Sequence, residues 1–171
     1  EPIGRIFSSE DPDSRGLVLN TGDWTPGYVL FSPLLSNTTY LVDVNGQVVH
    51  TWTSDHAPGA GLYLLDNGHL LRSARDPGVT EFRSGGVGGL IEEFSWEGEK
   101  VWSWGMASHE GVLHHDIEPL PNGNLLVSSS QGGRVFEVAP DSSVWFNPIG
   151  DYERTGTECD GVARFDGDTM R

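Results

Sequence analysis

The residues best suited to chemistry in this chain are histidines and a carboxylate gathered between residues 108 and 116. His109 comes first, and His114, His115 and Asp116 follow it closely. Near neutral pH an imidazole can act as a base, a nucleophile or a metal ligand. A carboxylate beside it can hold one tautomer and stabilise the charged ring. We therefore predict His114, His115 and Asp116 as catalytic residues and His109 as a substrate contact. The alternative is a histidine pair whose nitrogens bond backbone carbonyls at the start of a strand.

Two further polar side chains flank a hairpin that resembles the one after His115. His56 lies in the loop before that hairpin, and Arg72 follows its turn. A guanidinium suits an anionic substrate because it offers several donors and a permanent positive charge. We predict His56 and Arg72 as substrate-binding residues. For Arg72 the alternative is a salt bridge with a nearby Asp or Glu.

A pattern of an apolar run, a turn and a second apolar run recurs along the chain. It occupies residues 62–71 and 117–127, with a weaker copy at 162–170. Asn-Gly or Asp-Gly at the centre predicts a hairpin whose two central residues both need positive φ. The glycines of the three turns (Gly68, Gly123 and Gly167) are separated by roughly 55 and 44 residues, close to the ~40–50 residues of a propeller blade.

A second kind of hairpin ends in tryptophan and alternates with the first. Its copies span residues 40–52, 90–102 and 135–145. One hairpin of each kind gives four antiparallel strands, which is one blade of a β-propeller. A Trp that closes each unit can bury a large area between neighbouring sheets. We therefore predict core positions for the terminal tryptophans, which are Trp52, Trp102 and Trp145.

These repeats predict an all-β, propeller-like fold of about three four-stranded blades, an incomplete ring equal to half of a six-bladed propeller. Residues 1–26 form an N-terminal extension, and residues 27–171 hold the partial propeller of repeated hairpins. Closed propellers have typically four to eight blades. We therefore expect a piece of a longer protein, a ring that closes by pairing copies, or sheets that stack in a different way. The first strands of the blades would line a channel next to His115.

Composition limits the classes of partner. The formal net charge is -15, which disfavours a nucleic acid as a partner because its phosphates would be repelled. We expect no membrane span, because no apolar run approaches roughly 20 residues. With Cys159 as the one cysteine, no intramolecular disulfide can form.

Three short motifs need an interpretation of their own. Asn37-Thr38-Thr39 is a glycosylation sequon, which predicts modification of Asn37 if the protein is secreted. The acidic segment 10–13 could take calcium, although its spacing differs from an EF-hand loop; no other cofactor is expected. The glycine-rich residues 85–89 lack a following Lys-Ser/Thr, so we interpret them as a flexible loop and not as a phosphate-binding loop.

Four segments together resemble the arylsulfotransferase family of propeller proteins: residues 27–33, 39–52, 113–124 and 133–148. The resemblance implies a secreted or periplasmic six-bladed propeller that moves a sulfuryl group from a phenolic sulfate ester to another phenol without a nucleotide donor. In that family a channel histidine is transiently sulfated, and other histidines and an arginine bind the sulfate. Only His114 and His115 match the family's motif here. The family's proteins are much longer, and we expect their nucleophilic histidine in later blades.

Two other functions stay open at this stage. The chain could be a non-catalytic extracellular structural protein that self-assembles through its open blade faces, as a homo-oligomer or a filament. It could also be a binding module for a sugar or a metal ion. As an enzyme it would take a small phenolic sulfate as its partner.

Overall fold

The computed structural model describes Leu17 and residues 20–79, 86, 88–108, 111–129, 135–146 and 163–165. Within these ranges the chain forms β-strands joined by turns and irregular segments, and it forms no helix. The strands are β1 (Tyr28–Phe31), β2 (Thr38–Asp43), β3 (Val48–Thr53), β4 (Pro58–Leu64), β5 (Leu70–Arg75), β6 (Gly89–Phe94), β7 (Lys100–Gly105), β8 (Ala107–Ser108), β9 (Gly111–Pro119), β10 (Leu125–Ser129), β11 (Val135–Val138), β12 (Val144–Phe146) and β13 (Ala163–Phe165).

The strands form three antiparallel sheets that follow one another along the chain. The first sheet has the order β1-β2-β3, and the second has the order β4-β5-β6-β7. The third has the order β13-β12-β11-β10-β9-β8. Each sheet is an up-and-down meander, in which strands that are consecutive in the sequence pair with each other. The predicted unit of two hairpins is therefore the second sheet, and it returns as β9–β12 in the third.

The two hairpin types fold as predicted, but their turns differ from the predicted geometry. Among the turn residues at Asn67-Gly68 and Asn122-Gly123, only the glycines have positive φ, at 82° and 84°. The Gly68 N–H donates to the Leu65 carbonyl at 2.8 Å, as in a three-residue loop that ends in a glycine bulge. The expectation of two positive-φ residues was wrong. The Asn stays in the ordinary region, and its side chain accepts the N–H two residues later instead.

Two hydrophobic clusters hold the sheets together. One joins the first sheet to the second, and the other joins the second to the third. Because side chains alternate along a strand, Leu70 of β5 enters the first cluster and its neighbour Leu71 enters the second. The second sheet is consequently covered on both faces. The buried members are Leu41, Trp52, Leu70 and Phe94 in the first cluster and Leu71, Ile91, Leu113, Ile117, Leu125, Val127, Phe136 and Val138 in the second.

The predicted core tryptophans lie between sheets where the structure describes their side chains. Trp52 is 2% exposed, and its Nε1 donates to the Ser95 carbonyl at 2.9 Å. Trp102 is partly buried and packs against the second cluster. Trp145 lies in β12, and its side chain is outside the described set. The tryptophan that ends a hairpin thus links one sheet to the next, as a blade-packing residue does.

The weak third copy of the first hairpin begins differently from the expectation. The repeat pattern predicts a third copy of the first hairpin at residues 162–170. Instead β13 pairs with β12 and extends the third sheet, with Phe165 opposite Val144. This pairing satisfies the backbone groups of a strand that would otherwise be an exposed edge. Cys159 and the rest of this copy lie outside the described residues.

The architecture is therefore a partial β-propeller, with successive antiparallel sheets packed face to face. No described segment forms a helix that is long and apolar enough to cross a membrane. The proposed boundary at residue 27 stays a prediction. On its N-terminal side, Asn20 donates from its side chain to the Val44 carbonyl at 3.3 Å, so the described part of the extension contacts the first sheet.

Candidate functional site

His114, His115 and Asp116 lie on a bulge in β9. Ile117 pairs with Val127 of β10, but the next pairing joins Leu113 to Ser129. Residues 114–116 therefore stand opposite the single residue Ser128. Bulges of this kind redirect side chains and are frequent beside active sites. The His-His-Asp motif, which we predicted to be catalytic, thus coincides with the irregular part of its strand.

The first strand of the second sheet carries the same bulge with different residues. Pro58 pairs with Ala74 and Leu62 pairs with Arg72, so residues 59–61 stand opposite Ser73. The sequence there is Gly-Ala-Gly, and Ala60 takes the position of His115. The chain therefore keeps the bulge in both repeats but carries a His-His-Asp group in only one of the two.

A serine on the neighbouring strand stabilises each bulge. The Ser128 hydroxyl donates to the His114 carbonyl at 2.7 Å. The corresponding Ser73 accepts the Gly61 N–H at 2.8 Å. Because a bulge removes backbone groups from the ladder, these hydroxyls replace missing ladder bonds. The serines were not predicted as site residues, although aligning Gly68 on Gly123 would have placed them in register.

His115 has an unusual backbone conformation for its position. Its φ is 63°, in the left-handed region, and it is exposed. The other positive-φ residue besides glycine in the described ranges is Ser142, which lies in a hairpin turn. A strand residue in this region is held there by its surroundings, and such strain is concentrated at functional sites. The ring of His115 contacts the edge of His114, with centroids 3.9 Å apart.

The loop between β5 and β6 holds the other side of the bulge. The His115 N–H donates to the Gly86 carbonyl at 2.8 Å, and the Gly88 N–H donates to the Leu113 carbonyl at 3.0 Å. These two bonds and the Ser128 bond fix the backbone around His115. Within the described residues, no hydrogen bond to the His115 ring nitrogens is found.

The Asp116 carboxylate bonds the backbone of its own strand. Its Oδ1 accepts the Ile117 N–H at 2.9 Å. Close by, Tyr63 donates to Glu118 at 2.9 Å, and burial, Glu118 and the Asp116 charge raise the pKa of Tyr63 to about 12. The phenol therefore stays protonated at neutral pH and serves as a donor, not as a base. The predicted tautomer-holding role of Asp116 stays a prediction.

His56 and Arg72 lie together in a different place, in a network centred on Glu92 of β6. His56 Nδ1 is 2.8 Å from Glu92 Oε1, and the Ser54 hydroxyl donates to Oε2 at 2.7 Å. Arg72 Nη2 donates to the His56 carbonyl at 3.0 Å, while its Nε lies 3.9 Å from Glu92 Oε2. Lys100 adds a contact at 3.4 Å. Arg72 and Glu92 are each 1% exposed.

The charges in this network stabilise one another. Burial opposes ionisation of Glu92, but the hydrogen bonds from Ser54 and His56 and the charge of Arg72 outweigh it, so the pKa of Glu92 is lowered. Burial lowers the pKa of Arg72, and the Glu92 charge partly offsets this. The network joins the second sheet to the segment that follows β3. Arg72 therefore has the salt bridge that we considered as its alternative, and its role as a substrate contact stays a prediction.

The remaining predicted residues fall outside this geometry. His109 and the acidic segment 10–13 lie outside the described residues. Asn37 is exposed before β2, while Thr39 of its sequon is fully buried and bonds Ser32 at 2.6 Å. Among the described residues, no group of three or more His, Cys, Asp or Glu side chains is arranged to hold a metal ion.

Comparisons with known proteins add little to the geometry. No family model and no curated protein matches the chain. One similar solved structure is a protein of unknown function from Bacteroides caccae, with 14% identity, a TM-score of 0.44, and coverage of 85% of this chain and 55% of that chain. Another is a streptogramin B lyase, with 12% identity, a TM-score of 0.47, and coverage of 86% and 51%. The chain spans about half the length of these structures. At this level of similarity, the fold follows from the chain's own strand order.

Proposed function

We propose that this propeller-type protein transfers a sulfuryl group between phenols through His115, outside the cytoplasm and without a nucleotide donor. The observation that carries the proposal is the bulge of β9. There His115 is exposed, held at a φ of 63°, and placed where the preceding repeat has Ala60. A histidine kept in a strained conformation in a strand, and absent from the equivalent repeat, has no evident role in packing. The resemblance of residues 113–124 to arylsulfotransferases supports the choice of sulfuryl transfer. It does not assign the nucleophile, because we expect that family's nucleophilic histidine in later blades, so the role of His115 rests on the geometry of the bulge.

The reaction would proceed in two balanced steps. A neutral imidazole nitrogen of His115 attacks the sulfur of an aryl sulfate, and the bond from sulfur to the phenol oxygen breaks. The phenolate leaves with the electron pair, and the ring nitrogen carries the sulfuryl group. A second phenol then gives up its proton and attacks the same sulfur, which frees His115. We assign the proton transfer to His114, because its ring is in edge contact with the ring of His115.

The test is sulfuryl exchange from an aryl sulfate with a chromogenic leaving phenol to a second phenol. His115→Asn is the informative variant, because Asn tolerates positive φ and so keeps the bulge. His69→Asn is the matched control, since His69 lies in the turn between β4 and β5, away from the bulge, and its Nδ1 is 2.6 Å from Glu93 Oε1. We expect transfer in the wild type and the control and its loss in His115→Asn. Equal transfer in all three, or none in any, contradicts the proposal.

A second candidate function, self-assembly as a homo-oligomer, is supported by the outward face of the first sheet. Leu30 and Leu41 turn towards the second sheet. Their strand neighbours therefore turn the other way, and Val29 and Phe31 are 58% and 41% exposed. At the other end of the stack, Leu126 and Val135 of the third sheet are also exposed. Since equivalent faces pack against each other inside the chain, we propose that a second copy places its third sheet against this first sheet. The outward residues of the first sheet are Val29, Phe31, Tyr40, Val42 and Val48.

Particle mass in solution decides this second candidate. We expect a dimer or larger assembly that Phe31→Glu dissociates, because a carboxylate would be buried without a partner. Leu64→Glu is a suitable control, because Leu64 is similarly exposed, at 41%, but lies in the second sheet. A monomeric wild type at high concentration rules the assembly out.

A further inference from the structure

The glycine-rich segment 85–89 has a structural role that its composition did not indicate. Two of its glycines contact β9, one at the residue before the bulge and one at the centre of the bulge. Gly88 donates its N–H to the Leu113 carbonyl at 3.0 Å, and Gly86 accepts the N–H of His115 at 2.8 Å. Gly86 and Gly88 are therefore anchored to the same backbone that presents the candidate nucleophile. The interpretation as a flexible loop does not describe these two residues.

Gly86 lies directly against the ring of His115. A Cβ added to Gly86 would stand 2.7 Å from Cδ2 and 2.8 Å from Nε2 of that ring, and 3.1 Å from Cε1. The first two distances are shorter than carbon atoms can approach without displacement. The φ of Gly86 is +82°, which also favours glycine. Glycine is thus favoured by its backbone conformation, and a larger residue at position 86 would have to displace the His115 ring.

We propose that Gly86 is a positioning residue for His115, and that its backbone covers the Nε2 side of the ring so that Nδ1 is the nitrogen presented to substrate. The proposal rests on the proposed function of His115. Three features carry it: the hydrogen bond between the two backbones, the close approach to Cδ2 and Nε2, and the fixed bulge. A ring held on one side loses fewer orientations when a substrate binds, which lowers the entropic part of the barrier.

The test compares Gly86→Ala with Gly98→Ala. Gly98 has a φ of +87° and nothing within 4 Å of an added Cβ. Both substitutions therefore carry the same backbone cost, and only Gly86→Ala meets the His115 ring. The readout is the ¹⁵N and ¹H NMR signals of the imidazole rings, together with the rate at which diethyl pyrocarbonate modifies His115. We expect Gly86→Ala to move the His115 signals and change its modification rate several-fold, while Gly98→Ala leaves both unchanged. Unchanged His115 signals in a folded Gly86→Ala variant overturn the proposal.

A double variant keeps the proposal testable if Gly86→Ala folds poorly. In a His115→Gly background the three ring atoms nearest to the added Cβ of Gly86→Ala are absent. We expect Gly86→Ala to lower the denaturation midpoint much less in that background than in the wild type. An equal loss in both backgrounds contradicts a contact between Gly86 and the ring.

Different results would contradict the positioning role of Gly86 and the proposed reaction of His115. If the NMR signals respond as expected but no variant and no wild type transfers a sulfuryl group, Gly86 positions His115 and the proposed reaction is wrong. If the wild type transfers the group, the positioning role predicts that Gly86→Ala lowers kcat with little change in KM. Transfer by Gly86→Ala at the full wild-type rate, with an unchanged pH profile, contradicts the positioning role.

Discussion

Arg72 and Glu92 are paired residues of β5 and β6, and Nε of the arginine lies 3.9 Å from Oε2 of the glutamate. Each side chain is 1% exposed. The Glu92 oxygens are already engaged by Ser54, His56 and Lys100, and Arg72 Nε is buried without a hydrogen-bond partner among the described residues. The arrangement makes Glu92 the common partner of a buried network, so we expect the stability of this interface to depend on it.

The first prediction concerns Glu92→Gln. Gln keeps the size of the side chain but leaves Arg72 buried without its counter-charge, and breaking one partner of a buried pair costs roughly 3–5 kcal/mol of unfolding free energy. Chemical denaturation at neutral pH measures this loss. Glu99→Gln, on an exposed residue of the next turn, is the control and should change stability little. A small loss in Glu92→Gln would show that the network contributes little.

The pH dependence of stability follows from the same residue. The folded-state pKa of Glu92 is lowered from its ordinary value of 4.5. As the pH falls below about 4.5, the unfolded chain therefore takes up the proton first, and the wild type loses stability. The Glu92→Gln variant lacks this part of the acid dependence. We expect the denaturation midpoints of the two proteins to converge between neutral pH and pH 3. A difference between the midpoints that stays constant over this range would contradict the prediction.

A second prediction concerns the tryptophan that joins the first two sheets. Trp52 is 2% exposed and donates to the Ser95 carbonyl, so Trp52→Ala removes a large buried ring and leaves that carbonyl without its donor. Such a substitution costs about 3–5 kcal/mol. Trp24→Ala is the control, because Trp24 is 45% exposed and should cost roughly 0.5 kcal/mol or less. Similar losses in both variants would contradict a core role for Trp52.

A third prediction separates strain from function at His115. Glycine adopts positive φ without the steric cost that an L side chain meets, so His115→Gly should be more stable than His115→Ala by about 1 kcal/mol. Ser142, with a φ of 67° in a turn, offers a comparison without chemistry: Ser142→Gly should also raise stability. Thermal denaturation of the three variants provides the measurement. A His115→Gly variant less stable than His115→Ala would indicate that residue 115 is not strained.

Much of the fold could be predicted from the sequence because it depends on local patterns. The turn glycines, the alternating apolar residues and the tryptophans that end hairpins follow from strand and turn preferences that act over a few residues. The pairing of β13 with β12 could not be predicted, because it depends on which sheet edge remains open. The prediction of the turn type was also wrong. Asn-Gly is compatible with a two-residue turn and with a three-residue loop that ends in a glycine bulge, and only the number of residues between the paired strands distinguishes them.

The candidate site was predictable in its residue types but not in its geometry. The His-His-Asp motif identified the strand, while the bulge arises from a register shift against β10 that involves residues far along the chain. The contact between Gly86 and His115 likewise joins two sheets and has no signature in either segment alone. Arg72 illustrates the converse case: its type suggested an anion site, but Glu92 on the next strand supplies the opposite charge.

The most direct test of the account is to locate a covalent intermediate on His115. The protein is incubated with an aryl sulfate in the absence of an acceptor phenol and quenched at alkaline pH, because sulfuryl–nitrogen bonds hydrolyse in acid. Peptide fragmentation by mass spectrometry then assigns the modified residue. The account predicts a sulfuryl group on His115, absent from His114 and from the His115→Asn variant, and discharged when a phenol is added. An unmodified His115 in a protein that still transfers the group, or a modification confined to another histidine, would contradict it.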